Sequence, residues 1–328
     1  MESLELGRYA LGMGAASAML VGCGGSQPPI GAPGAMPQTS AIATHADRGK
    51  SWMLPEAKGE DLLYVAACGG SGVSVFSYPR GKLVGSLHVA GCGLCSKANG
   101  DFYVTSGDHI YEYAHGGTRP IATLTDFTGN AFDCSVDPTT RNLAVTNPQA
   151  YYSGPGSVMV YKGDHLKLIY WDSGLYFINF CAYDDKGDLF IDGSTYGSSD
   201  TGFAELPKHS RRLRTVTLNQ TFANAGAIRW DGAHLVVGQG SSSQQSSTLY
   251  QFAISGSEGT EVGAITLDGA LDLSWFWIQG SRVIGSDDSK NADAGIWKYP
   301  IGGNPIKTLS EAPEGGVTVS VAPSGSGE

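Results

Sequence analysis

Two kinds of residue in this chain have the types and spacing to do chemistry. The first kind is aromatic rings and carboxylates set in Gly- and Ser-rich stretches: Tyr151, Tyr152, Trp171, Asp192, Tyr196, Asp287, Asp288 and Asp293. Aromatic faces stack on sugars or attract cations, and clustered carboxylates repel anions, so the mixture suits a polar, hydroxyl-rich or cationic ligand. For any single one of them plain turn chemistry is an equal account, because Asp, Ser and Gly are what turns are made of. The second kind is the cysteines. Cys92-x-x-Cys95 has the spacing of a zinc or redox motif, but zinc needs a second pair and a redox CxxC needs a βαβ setting, and neither is present. Cys95, Cys134 and Cys181 read instead as small apolar packing residues at one repeat position. The histidines at 45, 88, 109, 115, 165, 209 and 234 form no HxxxH or HxH pair and read as satisfied surface residues. No Gly-x-Ser-x-Gly elbow precedes a helix. The residues alone assign no catalytic group and no cofactor.

These residues must be positioned by something, and the positioning elements recur. An apolar tract appears as Leu62-Leu63-Tyr64-Val65, Phe102-Tyr103-Val104, Leu143-Ala144-Val145, Leu189-Phe190-Ile191, Leu235-Val236-Val237 and Val283-Ile284. From Val65 to Val104, Val145, Ile191, Val237 and Ile284 the steps are 39, 41, 46, 46 and 47 residues, the period of a four-stranded repeat. Each tract is followed by a strand carrying Tyr78, Tyr113, Tyr161, Leu206, Phe252 or Tyr299 before a turn. A third strand then ends at Leu87, Leu124, Ile169, Leu218, Leu267 or Leu309, and a small-residue strand completes the phrase. With Gly at 47 of 328 residues and charged residues at only 16%, the chain favours short strands and tight turns over solvated helices.

The phrase resembles the NHL, YncE-like and SMP-30-like β-propellers across residues 61–323. That resemblance implies an all-β fold, a six-bladed β-propeller with four-stranded blades whose small-residue strand is innermost. The phase of the repeats predicts that the final strand, Val317 to Ala322, pairs with the strand containing Tyr64 and closes the ring. Loops that follow the apolar tract are long in four blades and share one face with Trp171, where sites are usually carried. Propeller lactonases of the SMP-30 type hold a divalent cation at the channel mouth with oxygen ligands from several blades. Here the resemblance offers Asp133, Asn179 and Asp272, three donors for a hard cation. Cys68 ends one strand of the first repeat on the face where Cys92 begins the next, so the two can meet across that junction if the compartment is oxidising.

The first 60 residues read differently. Tyr9 to Val21 is an apolar stretch too short to span a bilayer and suited to the core of a secretory signal. It ends in Leu20-Val21-Gly22-Cys23, which resembles the lipobox of bacterial lipoproteins and implies lipidation at Cys23. From there to about Glu60, Pro28, Pro29, Pro33 and Pro37 lie among Gly, Ala and Ser, the composition of a flexible tether. The expected division is thus a signal peptide (1–22), a tether (23–60) and a propeller (61–328). With Gly24 after the cysteine, the resemblance implies an exported protein anchored at the outer membrane. Net charge is −10 and no basic run exceeds Arg211-Arg212, which excludes an electrostatic footprint for nucleic acid. The expected role is a binding head for a glycan, peptide or protein ligand, held to the membrane by its lipid, with a metal-dependent lactonase as the alternative.

Overall fold

The computed structural model describes residues 50–70, 72–150, 154–171, 174–195, 197–198, 200–239, 246–271, 273–287, 293–310 and 312–323. The expected signal peptide and most of the tether, Cys23 included, lie outside these residues.

Among the described residues the chain is all-β except for a 3-10 turn at Pro55–Gly59. The first sheet contains β1 (Trp52–Met53), β2 (Leu62–Ala66), β3 (Val73–Ser77) and β4 (Leu83–Leu87). The second contains β5 (Leu94–Ser96), β6 (Phe102–Ser106), β7 (His109–Tyr113) and β8 (Pro120–Thr125), and the third β9 (Cys134–Val136), β10 (Leu143–Asn147), β11 (Ser157–Lys162) and β12 (His165–Tyr170). Next come β13 (Phe177–Tyr183), β14 (Leu189–Ser194), β15 (Thr201–Leu206) and β16 (Arg214–Leu218), then β17 (Ala225–Trp230), β18 (Leu235–Gln239), β19 (Ser246–Ser255) and β20 (Glu258–Asp268). The chain ends with β21 (Trp275–Gln279), β22 (Arg282–Asp287), β23 (Asp293–Lys298), β24 (Lys307–Leu309) and β25 (Val317–Ser320).

Within each group the strands pair antiparallel in chain order, except that β1 pairs with β4, and β25 returns to β2 in the register Leu62↔Ser320 to Val65↔Val317. The arrangement is propeller-like. Innermost strands touch in turn, β5 to β9, β9 to β13, β13 to β17, β17 to β21, β21 to β25 and β25 back to β5. Six separate four-stranded sets were expected, whereas the hydrogen bonds define five sheets. The long β19–β20 hairpin carries β20 far enough outward for Glu258 and Gly259 to pair in parallel with Thr217 and Leu218 of β16, fusing two sets into eight strands. Ahead of β2 the chain already joins the first sheet. Trp52 and Met53 pair with Ser86 and Gly85 of β4, and Ala57 is fully buried, because apolar Met53, Leu54 and Ala57 cover the outer edge of the first sheet.

Alternation along each strand turns successive side chains to the two neighbouring sheets. In the second sheet Leu94, Phe102 and Val104 pack toward the first, while Cys95, Tyr103 and Ile110 pack toward the third. Tyr64 stacks on Phe102 with ring centroids 3.9 Å apart in the first of these layers. Each such fully buried side chain contributes about 1.5–3 kcal/mol by burial, and Phe102→Ala would cost about 3–5 kcal/mol. Where the innermost strands converge there is little room: a Cβ on Gly93 would lie 2.3 Å from the Phe132 carbonyl.

One register detail corrects the sequence reading of the cysteines. Cys134 and Cys181 lie opposite Val145 and Ile191, but it is Leu94, not Cys95, that lies opposite Val104. Cys95 is one residue out of phase and so faces the other way. It points at the third sheet, where Cys134 faces the second, and the two form a disulfide with Cα atoms 5.7 Å apart. They are therefore cross-linked rather than simple packing residues. A second disulfide joins Cys68 and Cys92, Cα atoms 4.2 Å apart, and Cys181 is a buried free thiol.

Candidate functional site

The channel between the innermost strands is filled from the end at which those strands begin. Phe132, Phe180 and Trp275 close it, with ring centroids 4.8–5.4 Å apart. Below this plug lies a buried ion pair. Arg229 of β17 reaches across β13 to Asp133, just ahead of β9, placing Nη1 3.0 Å from Oδ2 and Nη2 3.2 Å from Oδ1. The same Nη1 donates to the carbonyls of Ile228 and Cys181, and the Cys181 amide donates to Asp133 Oδ2. Burial pushes the Asp133 carboxyl up, and the guanidinium pulls it back toward the ionised form. Breaking such a pair from one side leaves a charge buried without compensation.

This arrangement bears on the cation-binding alternative. Asp133 is fully buried with both oxygens engaged by a cation the chain itself supplies. Asn179 gives its main-chain carbonyl to Thr146 Oγ1, 2.6 Å away, and Asp272 lies outside the described residues. Among the described residues no cluster of three or more His, Cys, Asp or Glu has metal-binding geometry. At the opposite end the channel opens into a small cavity of about 180 Å³, bounded by Ser96, Ser135, Tyr183, Trp230 and Trp277 and floored by Arg229.

Of the eight candidate ligand-binding residues, Asp287 and Asp293 are brought side by side among the described residues. Tyr151, Tyr152, Tyr196 and Asp288 lie outside them. Asp287 and Asp293 are register partners at the ends of β22 and β23. Trp171 is 49% exposed just after β12, the edge strand of its sheet. Asp192 is not a loop residue at all: it sits within β14, 1% exposed.

What Asp192 does follows from comparison along the repeat. Thr105 Oγ1 accepts the Gly93 amide of its own sheet and donates to the Phe132 carbonyl of the next. Thr146 does the same, accepting from Asp133 and donating to Asn179. Asp192 occupies the corresponding place in β14, where Oδ1 accepts the Phe180 amide at 2.8 Å and Oδ2 is buried without a partner. Burial raises its carboxyl well above the ordinary range, with Asp133 adding to the shift. Asp192 is thus a buried strand residue that holds the Phe180 amide of its own sheet at the position the two threonines occupy.

The sequence reading missed Arg229, because its partner is 96 residues away. It also missed an outer groove between the third and fourth sheets, lined by Lys167, Lys208 and Arg211. The signal was present as Lys208-His209-Ser210-Arg211-Arg212-Leu213-Arg214, a basic turn in an otherwise acidic chain.

No protein-family model matches the chain, and no curated protein matches it. Solved structures do. A chain from a nidogen/laminin complex superposes with a TM-score of 0.60 at 14% identity, covering 80% of this chain and 98% of that one. A protein of unknown function from Bacteroides caccae gives 0.59 at 10% identity, covering 80% and 99%. A putative 6-phosphogluconolactonase from Bacteroides uniformis gives 0.50 at 12% identity, covering 76% and 82%. What they share with this chain is a propeller-like fold. Such folds host many unrelated functions, so function has to be argued from the residues above.

Proposed function

We propose that this chain is a cell-envelope lipoprotein whose head is a six-bladed propeller that binds a ligand without transforming it. In this reading the eight-stranded sheet counts as two blades joined at their rims, and β25 is the innermost strand of the first blade. The observation that carries the non-catalytic part is the Arg229–Asp133 pair: the axial carboxylate, where a lactonase-type propeller would hold its cation, is neutralised by a guanidinium 3.0 Å away. With one end of the channel packed by aromatic rings and the other reduced to a cavity of about 180 Å³ floored by Arg229, the larger share of ligand contact falls to the outer surfaces and loops. Export is supported by two disulfides, which persist in oxidising compartments, and by the lipobox-like Leu20-Val21-Gly22-Cys23. Anchoring at the outer membrane follows the same resemblance.

Two measurements test the reading. Cells making the full chain with labelled fatty acid should incorporate label that Cys23→Ser abolishes, and persistence of label in that variant would reject the anchor. The purified full chain on glycan and peptide arrays should retain a defined ligand class. Divalent-metal-dependent opening of a sugar lactone by the same sample, lost in Asp133→Asn, would reject the binding-head reading in favour of the lactonase.

A further inference from the structure

We infer that the groove between β12 and the turn at 207–213 is the ligand site of this head, and that its ligand is an acidic oligosaccharide. This rests on the binding-head reading above and adds to it both a place and a chemistry. The groove consists of two adjoining cavities of about 340 and 420 Å³ that share Tyr170 and Arg211. Each is in the size range of small-molecule and sugar sites.

Charge gives the first argument. The chain carries −10 overall, yet Lys167, Lys208, Arg211 and Arg212 converge on this one groove. Among the described residues none of the four is in an ion pair, whereas the adjacent Arg214 is held by Glu205 at 2.6 Å. The single carboxylate among the described lining residues is Asp137, which is buried and accepts from the amides and hydroxyls of Thr139 and Thr140. Asp188 adjoins the turn, its Oδ1 accepting the Lys208 amide at 2.6 Å, but no described carboxylate pairs with any of the four cationic side chains, so they repel one another and an anionic ligand relieves that repulsion. Arginine forks match carboxylates in bidentate geometry.

The aromatic residues give the second argument. Trp171 is half exposed at one end of the groove and Tyr170 lines both cavities. Large rigid rings with one face open offer contact area at low entropic cost, as sugar rings require on their C–H face.

Backbone geometry separates a sugar acid from an acidic peptide. A peptide would gain most by extending the ladder at the free edge of β12. That ladder is interrupted: Val160 pairs with Leu168 and Tyr161 with Leu166, which leaves Lys167 as the unpaired residue of a β-bulge. Bulges and edge lysines discourage strand addition. Here the bulged lysine lines the cavity, so the edge is closed to a strand while its charge is available to a ligand.

The test uses the full chain and three probes: a hexamer of α-1,4-linked galacturonic acid, a neutral maltohexaose and hexaglutamate. Titration calorimetry should detect the galacturonate hexamer alone, with affinity falling as salt rises. The triple variant Lys167→Ala, Arg211→Ala, Arg212→Ala should weaken it about 100-fold, since each lost charge-assisted contact is worth roughly tenfold or less after compensation. Trp171→Ala should weaken it about tenfold, with Trp171→Phe retaining most of the affinity. All four substituted positions are solvent-exposed, and an unchanged melting curve establishes that each variant is folded. Equal or tighter binding of hexaglutamate, unchanged affinity in the folded triple variant, or no uronate binding at 1 mM overturns the assignment, the last leaving a solvated turn only. If an array ligand is retained by the triple variant, the groove is rejected and the binding head stands; if the arrays retain nothing, the head reading itself is rejected.

Discussion

Asp192→Thr should stabilise the protein, and by more as the pH rises. In the second and third sheets the same position is Thr105 or Thr146, whose hydroxyl both accepts an amide and donates to the next sheet. Asp192 accepts its amide but leaves Oδ2 buried and unpartnered, a defect that costs about 1–3 kcal/mol. Because its folded pKa is raised, the folded state keeps a proton that the unfolded state releases above the ordinary carboxylate value of about 3.9. Stability from this group is therefore complete below that value and declines as pH climbs toward the folded pKa. Replacing the carboxyl by threonine removes both penalties. A gain of about 1–3 kcal/mol at pH 8 corresponds to a rise in Tm of roughly 2 °C per kcal/mol in a domain of this size. Thermal melts of the wild type, Asp192→Thr and Asp192→Asn from pH 4 to 8 measure it. The Asn variant should flatten the pH dependence with a smaller gain. A Thr variant that loses more than about 1 kcal/mol, or a difference from wild type that does not grow with pH, would refute the placing of Asp192 in the role of those threonines.

The remaining predictions concern the axis, the closure and the thiols. Arg229→Leu should destabilise by about 3–5 kcal/mol in chemical denaturation because Asp133 is left buried without its counter-charge, and Asp133→Asn with Arg229→Leu should recover part of that loss. His115, half-buried between Ser320 Oγ and the Glu60 carbonyl, has its pKa lowered chiefly by burial; stability should be complete above about pH 6.5 and fall as the pH drops below it, a slope that His115→Gln should flatten in melts between pH 5 and 7. Peptide mapping of the unreduced protein should find Cys68–Cys92 and Cys95–Cys134 with Cys181 as a thiol, and Cys95→Ser with Cys134→Ser should cost about 2–4 kcal/mol. Removing residues 315–328 takes away β25 and its ladder to β2; the truncated protein should lose cooperative unfolding, and a melt like that of the intact chain would contradict closure through β25.

Strand positions and their phase were legible in the sequence because they depend on local alternation and a repeat that each unit carries within itself. Val65, Val104, Val145, Ile191, Val237 and Ile284 mark the second strand of every group by their spacing alone, and the phase at the two ends anticipates the pairing of β25 with β2. Tertiary structure decided what those strands do to one another. Cys95 and Cys134 looked equivalent in the alignment of repeats, yet a one-residue offset reverses the direction of a side chain and turned two packing residues into a bridge. Asp192 looked like the start of a loop, and only its burial beside Phe180 shows it working in place of a threonine. Arg229 and Asp133 carry no signal of their meeting, since a ring brings the first and third members of a series together across its axis at any sequence separation. The basic turn at 208–214 was visible as composition, but a groove needs two walls, and β12 comes to face that turn only when the third and fourth sheets pack.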